Sequence, residues 1–309
     1  MTGAFAVAAG LGLLAAPGAL LPSVPLGGRE TARLVASTLV AGLVLVATGL
    51  IFMAAPAIAG VTHLGDVAEM CARVLTPLTP RRDVVGLLAG TLSVLLLSRG
   101  AHAGIRAQRG ARRARAEPWL GDHEDRQSYE LVVVPTDQML AYSVPGRKPQ
   151  VIVSRGLLTS LDGAQVEAVI RHEAAHHAAR HSRYVMVAIV VEGAFRPLRW
   201  VARSTALLRT ALEDWADAEA TSGSAAARAT LRSALVAVAC HLVTHSRRRS
   251  SGFTRRTKAL NSGARTYGVA ALLLQRSPVV LLTSAFIMVA LVWAGGAHHV
   301  AAAAGYCFD

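Results

Sequence analysis

The sequence predicts a multi-pass α-helical membrane protein with a mainly helical α+β domain, containing a small β-sheet, set between its third and fourth spans. Three observations predict it. Mean hydropathy is +0.42 and charged residues make up only 17% of the 309, against about 25% in soluble domains. The apolar residues gather in runs: residues 34–62 and 277–308 contain no Asp, Glu, Lys or Arg, and each run exceeds the ~20 residues a helix needs to cross a bilayer. The charge gathers too. Residues 99–276 hold 27 of the 32 Lys+Arg and 14 of the 19 Asp+Glu, which is the whole formal charge of +13.

The elements follow in order. Residues 3–21 are uncharged and are expected to form a first span. No Lys or Arg precedes them, so the basic start of a signal peptide is missing and the span is read as retained. Residues 34–62 form the second span. Residues 84–98 form a third, short unless Arg99 snorkels and the helix runs on to Gly104. Residues 277–308 form the fourth. The division is therefore a three-span bundle (1–104), a central domain (105–276), and a last span with a short tail (277–309). Arg106, Arg109, Arg112, Arg113 and Arg115 directly follow the third span. By the positive-inside bias the central domain faces the cytoplasm and both termini lie outside the plasma membrane. These arginines suit anionic lipid headgroups. No aromatic platform interleaves with them, which argues against direct nucleic-acid binding. Cys71, Cys240 and Cys307 show no paired spacing, so a disulfide framework and a cysteine metal site are excluded.

In the central domain, residues 105–128 are charged and irregular, and are read as a linker or surface helix. Residues 130–135, 139–144 and 151–154 alternate or are β-branched between turn signals, enough for a small antiparallel sheet. Asp162 with Gln165 resembles a capping box, opening a helix over 163–182 with Val166, Val169 and Ile170 as its apolar stripe. Residues 184–191 are apolar but too short to span, and are expected to be buried or membrane-grazing. A further helix carries residues 207–220.

On the first of these helices stands His172-Glu173-Ala174-Ala175-His176. Residues four apart share a helix face with Cβ atoms ~5–6 Å apart, so two imidazoles can converge on one zinc ion. Glu173, about 100° further round, would stand beside a metal-activated water as general base. Glu213 opens Glu213-Asp214-Trp215-Ala216-Asp217. It is the candidate third ligand of a site for one Zn²⁺ per chain. Asp217, on the same face, is the candidate partner for the back nitrogen of a ligand histidine. His181 lies nine residues past His172, about 180° round a continuous helix, and is rejected as a ligand. His241 and His245 share a face but have no third ligand nearby in sequence.

The stretch from Val151-Ile-Val-Ser-Arg-Gly-Leu-Leu158 through HExxH to Glu213–Asp217 resembles the membrane gluzincins. It is most similar to the BlaR/MecR antirepressor metallopeptidases, which also place three spans before the zinc helix and one after it. Phe195-Arg196-Pro197 resembles their aromatic-x-Pro segment. HtpX-type peptidases share HExxH and ExxxD with a less similar span arrangement. The resemblance implies a zincin-like, cytosol-facing zinc metalloendopeptidase. Its substrate would be a protein or peptide, such as a winged-helix repressor or the chain itself, cleaved on a signal. The strands before the zinc helix would offer their edge to an extended substrate. Antibiotic-sensing members carry a large external penicillin-binding domain after the last span; here only a short tail precedes Asp309. The alternatives are HtpX-like quality control of membrane proteins, or a non-catalytic signalling scaffold with a structural zinc.

Overall fold

The computed structural model describes residues 2–61, 82–116, 121–196 and 198–245. The expected fourth span, and Cys71 and Cys307, lie outside the described residues. Helices α1 (Thr2–Leu20), α2 (Gly28–Val61) and α3 (Arg82–Ala116) come first. Three stretches are long and apolar enough to cross a membrane: Thr2–Ser23, which runs three residues past α1, Gly28–Ala55 within α2 and Val84–Arg112 within α3. Without a hydrophobic drive inside lipid, such helices associate through close backbone approach. A Cβ placed on Gly10 of α1 would stand 2.8 Å from the Gly42 carbonyl of α2. The outer face of α3 leaves Val84, Leu88, Leu92, Val94 and Leu95 exposed, as a lipid-facing surface should be.

α3 continues to Ala116, so much of the expected linker is helix, an extension of the third span. A strand that the sequence reading missed then follows: β1 (Asp122–Arg126), with the sequence DHEDR. It is an edge strand whose side chains are mostly exposed. It forms a hairpin with β2 (Tyr129–Val134), and His123 Nδ1 lies 3.1 Å from Glu130 across the pair. β3 (Ala141–Val144) and β4 (Gln150–Ser154) complete a four-stranded sheet of order β1-β2-β4-β3.

The sheet is mixed, a correction to the antiparallel expectation. β2 and β4 run parallel, while β1–β2 and β3–β4 are antiparallel. After β2, Pro135 cannot donate to a ladder, and residues 136–140 cross the end of β4 instead. Ser154 N–H there donates to Leu140 O (3.0 Å) and Gly156 N–H to Thr136 O (2.8 Å). β3 is thereby delivered to the far side of β4. The sheet's period of two sends Leu131, Val151 and Val153 toward Ile170 of the next long helix, while Val132, Val134, Val144 and Ile152 form a second cluster on the opposite face.

Helices α4 (Arg155–Ser160), α5 (Gly163–Ala178), α6 (His181–Phe195), α7 (Arg199–Thr221) and α8 (Ala225–His245) follow. The Asp162–Gln165 capping box opens α5 in both directions, with Gln165 N–H to Asp162 at 2.8 Å and Asp162 N–H to Gln165 at 3.1 Å. The expected continuous helix over 163–182 is broken. α5 stops at Ala178, and Arg180 takes a left-handed conformation (φ 54°) before α6 begins.

α6 and α7 share one core with the spans. Leu14 and Leu39 pack in a single cluster with Val191, Phe195, Leu208 and Trp215. The Ser204 hydroxyl donates to Leu14 O (2.8 Å) and accepts from Gly18 N–H (3.0 Å). Those two backbone groups are the ends of one i→i−4 rung beside Pro17, so a side chain of α7 is wedged into the backbone of α1.

Candidate metal centre

α5 and α7 face each other across the site. His172 and His176, one helical turn apart on α5, point their Nε2 atoms at one another, 3.3 Å apart. From α7, Glu213 reaches in, with one oxygen 3.6 Å from His172 Nε2 and the other 3.9 Å from His176 Nε2. The three ligand atoms lie within 4.8 Å of one another. Ligands at ~2.0–2.1 Å from a tetrahedral zinc stand about 3.3 Å apart. Two neutral imidazoles and one carboxylate are also the donor types that this ion takes in an open site. The donor set therefore fits.

Behind the donors, each histidine is held by its other nitrogen. His172 Nδ1 stands 2.9 Å from Asp217 Oδ1, with both side chains 5% exposed. His176 Nδ1 stands 2.8 Å from His181 Nδ1. His181, the residue set aside in the sequence reading, is thus beside the site and almost fully buried, its ring 4.7 Å from that of Trp215. The break at Arg180 turns it back toward His176, and the run Ala178-Ala179-Arg180 contains no Gly or Pro that would announce such a break. Trp215, the middle of the Glu213–Asp217 stretch, is in turn covered by Arg29 and Arg33 of α2, 5.6 and 5.7 Å from its ring centre. Favourable cation–π placement falls within about 6 Å.

The electrostatics follow from this packing. Burial works against a charge on His172, but hydrogen bonding to Asp217 and Glu213 and the charges of Asp217 and Glu173 outweigh it and lift its pKa to about 9 in the metal-free protein. His181 goes the other way. Burial and the neighbouring His176 lower it to about 4, so it sits as a neutral imidazole. His177, half-buried on the adjacent face, donates to the Gln150 carbonyl at 3.2 Å and ties α5 to β4.

The centre opens into a cavity of about 570 Å³. Glu173 lines it, and so do Tyr142, Ser143 and Pro145 at the β3 end of the sheet. Val185, Met186 and Ile189 of α6 and Leu235 and Val238 of α8 contribute apolar lining. Ala107 and Ala111 belong to the extension of the third span. These contributions from α3 and α8 carry no motif and escaped the sequence reading.

No curated protein and no solved structure matches the chain. A family model does match: residues 120–250 fit that of peptidase family M48. The match supports M48 and not the BlaR/MecR group specifically. The matched stretch carries the whole four-stranded sheet, His172 and His176 on α5 and Glu213 on α7. It supports the M48 family of zinc-dependent metallopeptidases.

Proposed function

We propose that this chain is an integral-membrane zinc metalloendopeptidase, with one zinc ion held by His172, His176 and Glu213 and with Glu173 as general base. The observation that carries the reading is the convergence of two Nε2 atoms and a carboxylate from two helices, with a buried acid set against the back of the first histidine. Bound zinc would polarise the scissile carbonyl and make the attacking water more acidic. Glu173, a half-buried acid on the cavity wall, is placed to act as general base toward an attacking water and would return that proton to the departing amine. Asp217 and His181 fix the orientation of the two imidazoles. β3 is the outer strand of the sheet on the cavity side. An extended substrate adds to its outer edge by backbone hydrogen bonds, with apolar side chains set against α6 and α8. Three protein ligands leave a position open for water and substrate, which favours catalysis over a structural zinc scaffold.

The test is a comparison of wild type with Glu173→Gln, purified in detergent. One zinc per chain in both, with peptide-bond cleavage only in wild type, is the expected result. Equal cleavage by both would refute the assignment of the base.

The finer reading is regulatory. The catalytic domain faces the cytoplasm at the plasma membrane and cleaves a winged-helix repressor, or the chain itself, on a signal. Its support is the BlaR/MecR resemblance, the arginines after the third span and the three spans ahead of the zinc helix. The M48 match, together with the motifs shared with HtpX-type peptidases, favours quality control of membrane proteins instead. Digestion of one dominant cytoplasmic protein selects the first reading; digestion of many unfolded membrane proteins selects the second.

A further inference from the structure

A second cavity, of about 660 Å³, lies away from the metal centre, between α3 and the end of α6. Arg99, His102 and Arg106 line it from α3 and Arg196 from just after α6, and among the described residues none that lines it is acidic. The nearest acid along α6, Glu192, is taken up by Arg209 and Thr205 of α7, with Arg209 Nη2 at 2.8 Å. Arg99 Nε donates to Gly193 O at 3.4 Å, which steers its guanidinium over the end of α6.

The cations extend an apolar stripe. Leu92, Leu95, Arg99, His102 and Arg106 recur at helical spacing of three and four, so they lie along one face of α3. Leu92 and Leu95 are 44% and 49% exposed and fall within the candidate span Val84–Arg112. Seven residues of helix advance ~10 Å. The face therefore changes from apolar to cationic over about the distance from the upper part of an acyl chain to its headgroup.

We propose that this groove binds the phosphate of an anionic glycerophospholipid, with Arg99, Arg106 and Arg196 on the headgroup and Leu92 and Leu95 along an acyl chain. A free phosphate would satisfy the arginines but would leave the two leucines unused. Basic pockets at the membrane boundary, between helices, select such headgroups.

The experiment uses the full chain in detergent micelles, titrated with fluorescent phosphatidylglycerol, with phosphatidylcholine and inorganic phosphate in parallel. Arg99→Gln with Arg196→Gln should weaken phosphatidylglycerol binding about tenfold. Arg112→Gln, an exposed arginine off the stripe on the same helix, should change it less than about twofold. Phosphatidylcholine should bind about tenfold more weakly than phosphatidylglycerol. Unchanged binding in the double variant, equal binding of phosphatidylcholine, or displacement by inorganic phosphate at equal concentration would each overturn the proposal. Helix content by circular dichroism checks that the double variant folds. Should it fail that check, Arg106→Gln alone removes one exposed side chain and must still weaken phosphatidylglycerol binding selectively.

Discussion

Replacing Asp217 by Asn or Ala separates two things that the carboxylate does for His172. Its oxygen lies 2.9 Å from Nδ1 in a pocket where both side chains are 5% exposed. A hydrogen bond to a charged acceptor contributes about 1.5–3 kcal/mol, against about 0.5–1.5 for a neutral one. Asn keeps an acceptor but loses the charge, a difference of about 1–1.5 kcal/mol, or roughly tenfold in zinc affinity. Ala leaves the buried Nδ1–H with no acceptor at that position, and the loss should approach the ~100-fold upper end for such partners. A metal-free measurement gives the sign of the charge effect. The pKa of His172 is raised from 6.5 to about 9. Its contribution to stability is therefore full below about pH 6.5 and is lost as pH rises through about 9. In Asp217→Asn that decline should shrink, because much of what held the proton has gone. The assays are chelator competition for zinc and metal-free thermal melting from pH 6 to 10. A folded Asp217→Ala chain with wild-type zinc affinity would refute the claim that Asp217 supports the site.

Other perturbations probe separate features. In Glu173→Gln, kcat/KM should fall by about 10²–10⁴ with zinc content unchanged, read by atomic absorption beside a peptide cleavage assay. His181→Phe keeps a ring against Trp215 but removes the nitrogen 2.8 Å from His176; zinc affinity should drop about tenfold, measured by chelator competition, with little change in the far-ultraviolet spectrum. At Gly28, an added Cβ would sit 2.5 Å from the backbone nitrogen of Trp215, so Gly28→Ala should cost about 1–3 kcal/mol by overpacking and lower the melting temperature. Asp162→Ala removes the capping box at the start of α5 and should cost about 1 kcal/mol, seen in the same melt.

Where chemistry is local, the sequence was readable. The capping box at Asp162 depends on a spacing of three residues, and it forms. The apolar stripe Val166, Val169, Ile170 faces the sheet and the small core beside it as its period requires. The histidine pair meets because a helical turn brings residues four apart together. Reading failed where the deciding interaction is distant or weakly coded. β1 is written in charged residues with poor strand propensity, and only backbone pairing with β2 makes it a strand. Strand direction was misjudged because periodicity shows which face a residue occupies, not which neighbour its strand takes. The bend at Arg180 uses a non-glycine residue at positive φ. Its place in the fold is set by burial of His181 against Trp215, a residue 34 positions further on. That single bend decided the status of His181, because the continuous-helix assumption had turned it away from the site.

The route from bilayer to metal centre runs through α7. This helix presents Glu213 and Asp217 to the histidines on one side. On the other, Leu208, Leu212 and Trp215 enter the cluster made by α1 and α2. Four side chains from two helices converge on Trp215: Arg29 and Arg33 from α2, and His181 and Tyr184 from α6. A shift of α2 along its axis would move the cations that cover this ring, and with it the imidazole set against His176. Close-packed interiors transmit such displacements because they have little free volume to absorb them. Histidine Nε2 atoms 3.3 Å apart, with the two Glu213 oxygens 3.6 and 3.9 Å from them, tolerate little change before they cease to fit the ion. Helices α1 and α2 are therefore part of what sets the spacing of the candidate ligands. A soluble fragment that begins after α3 would lack the contacts that position Glu213.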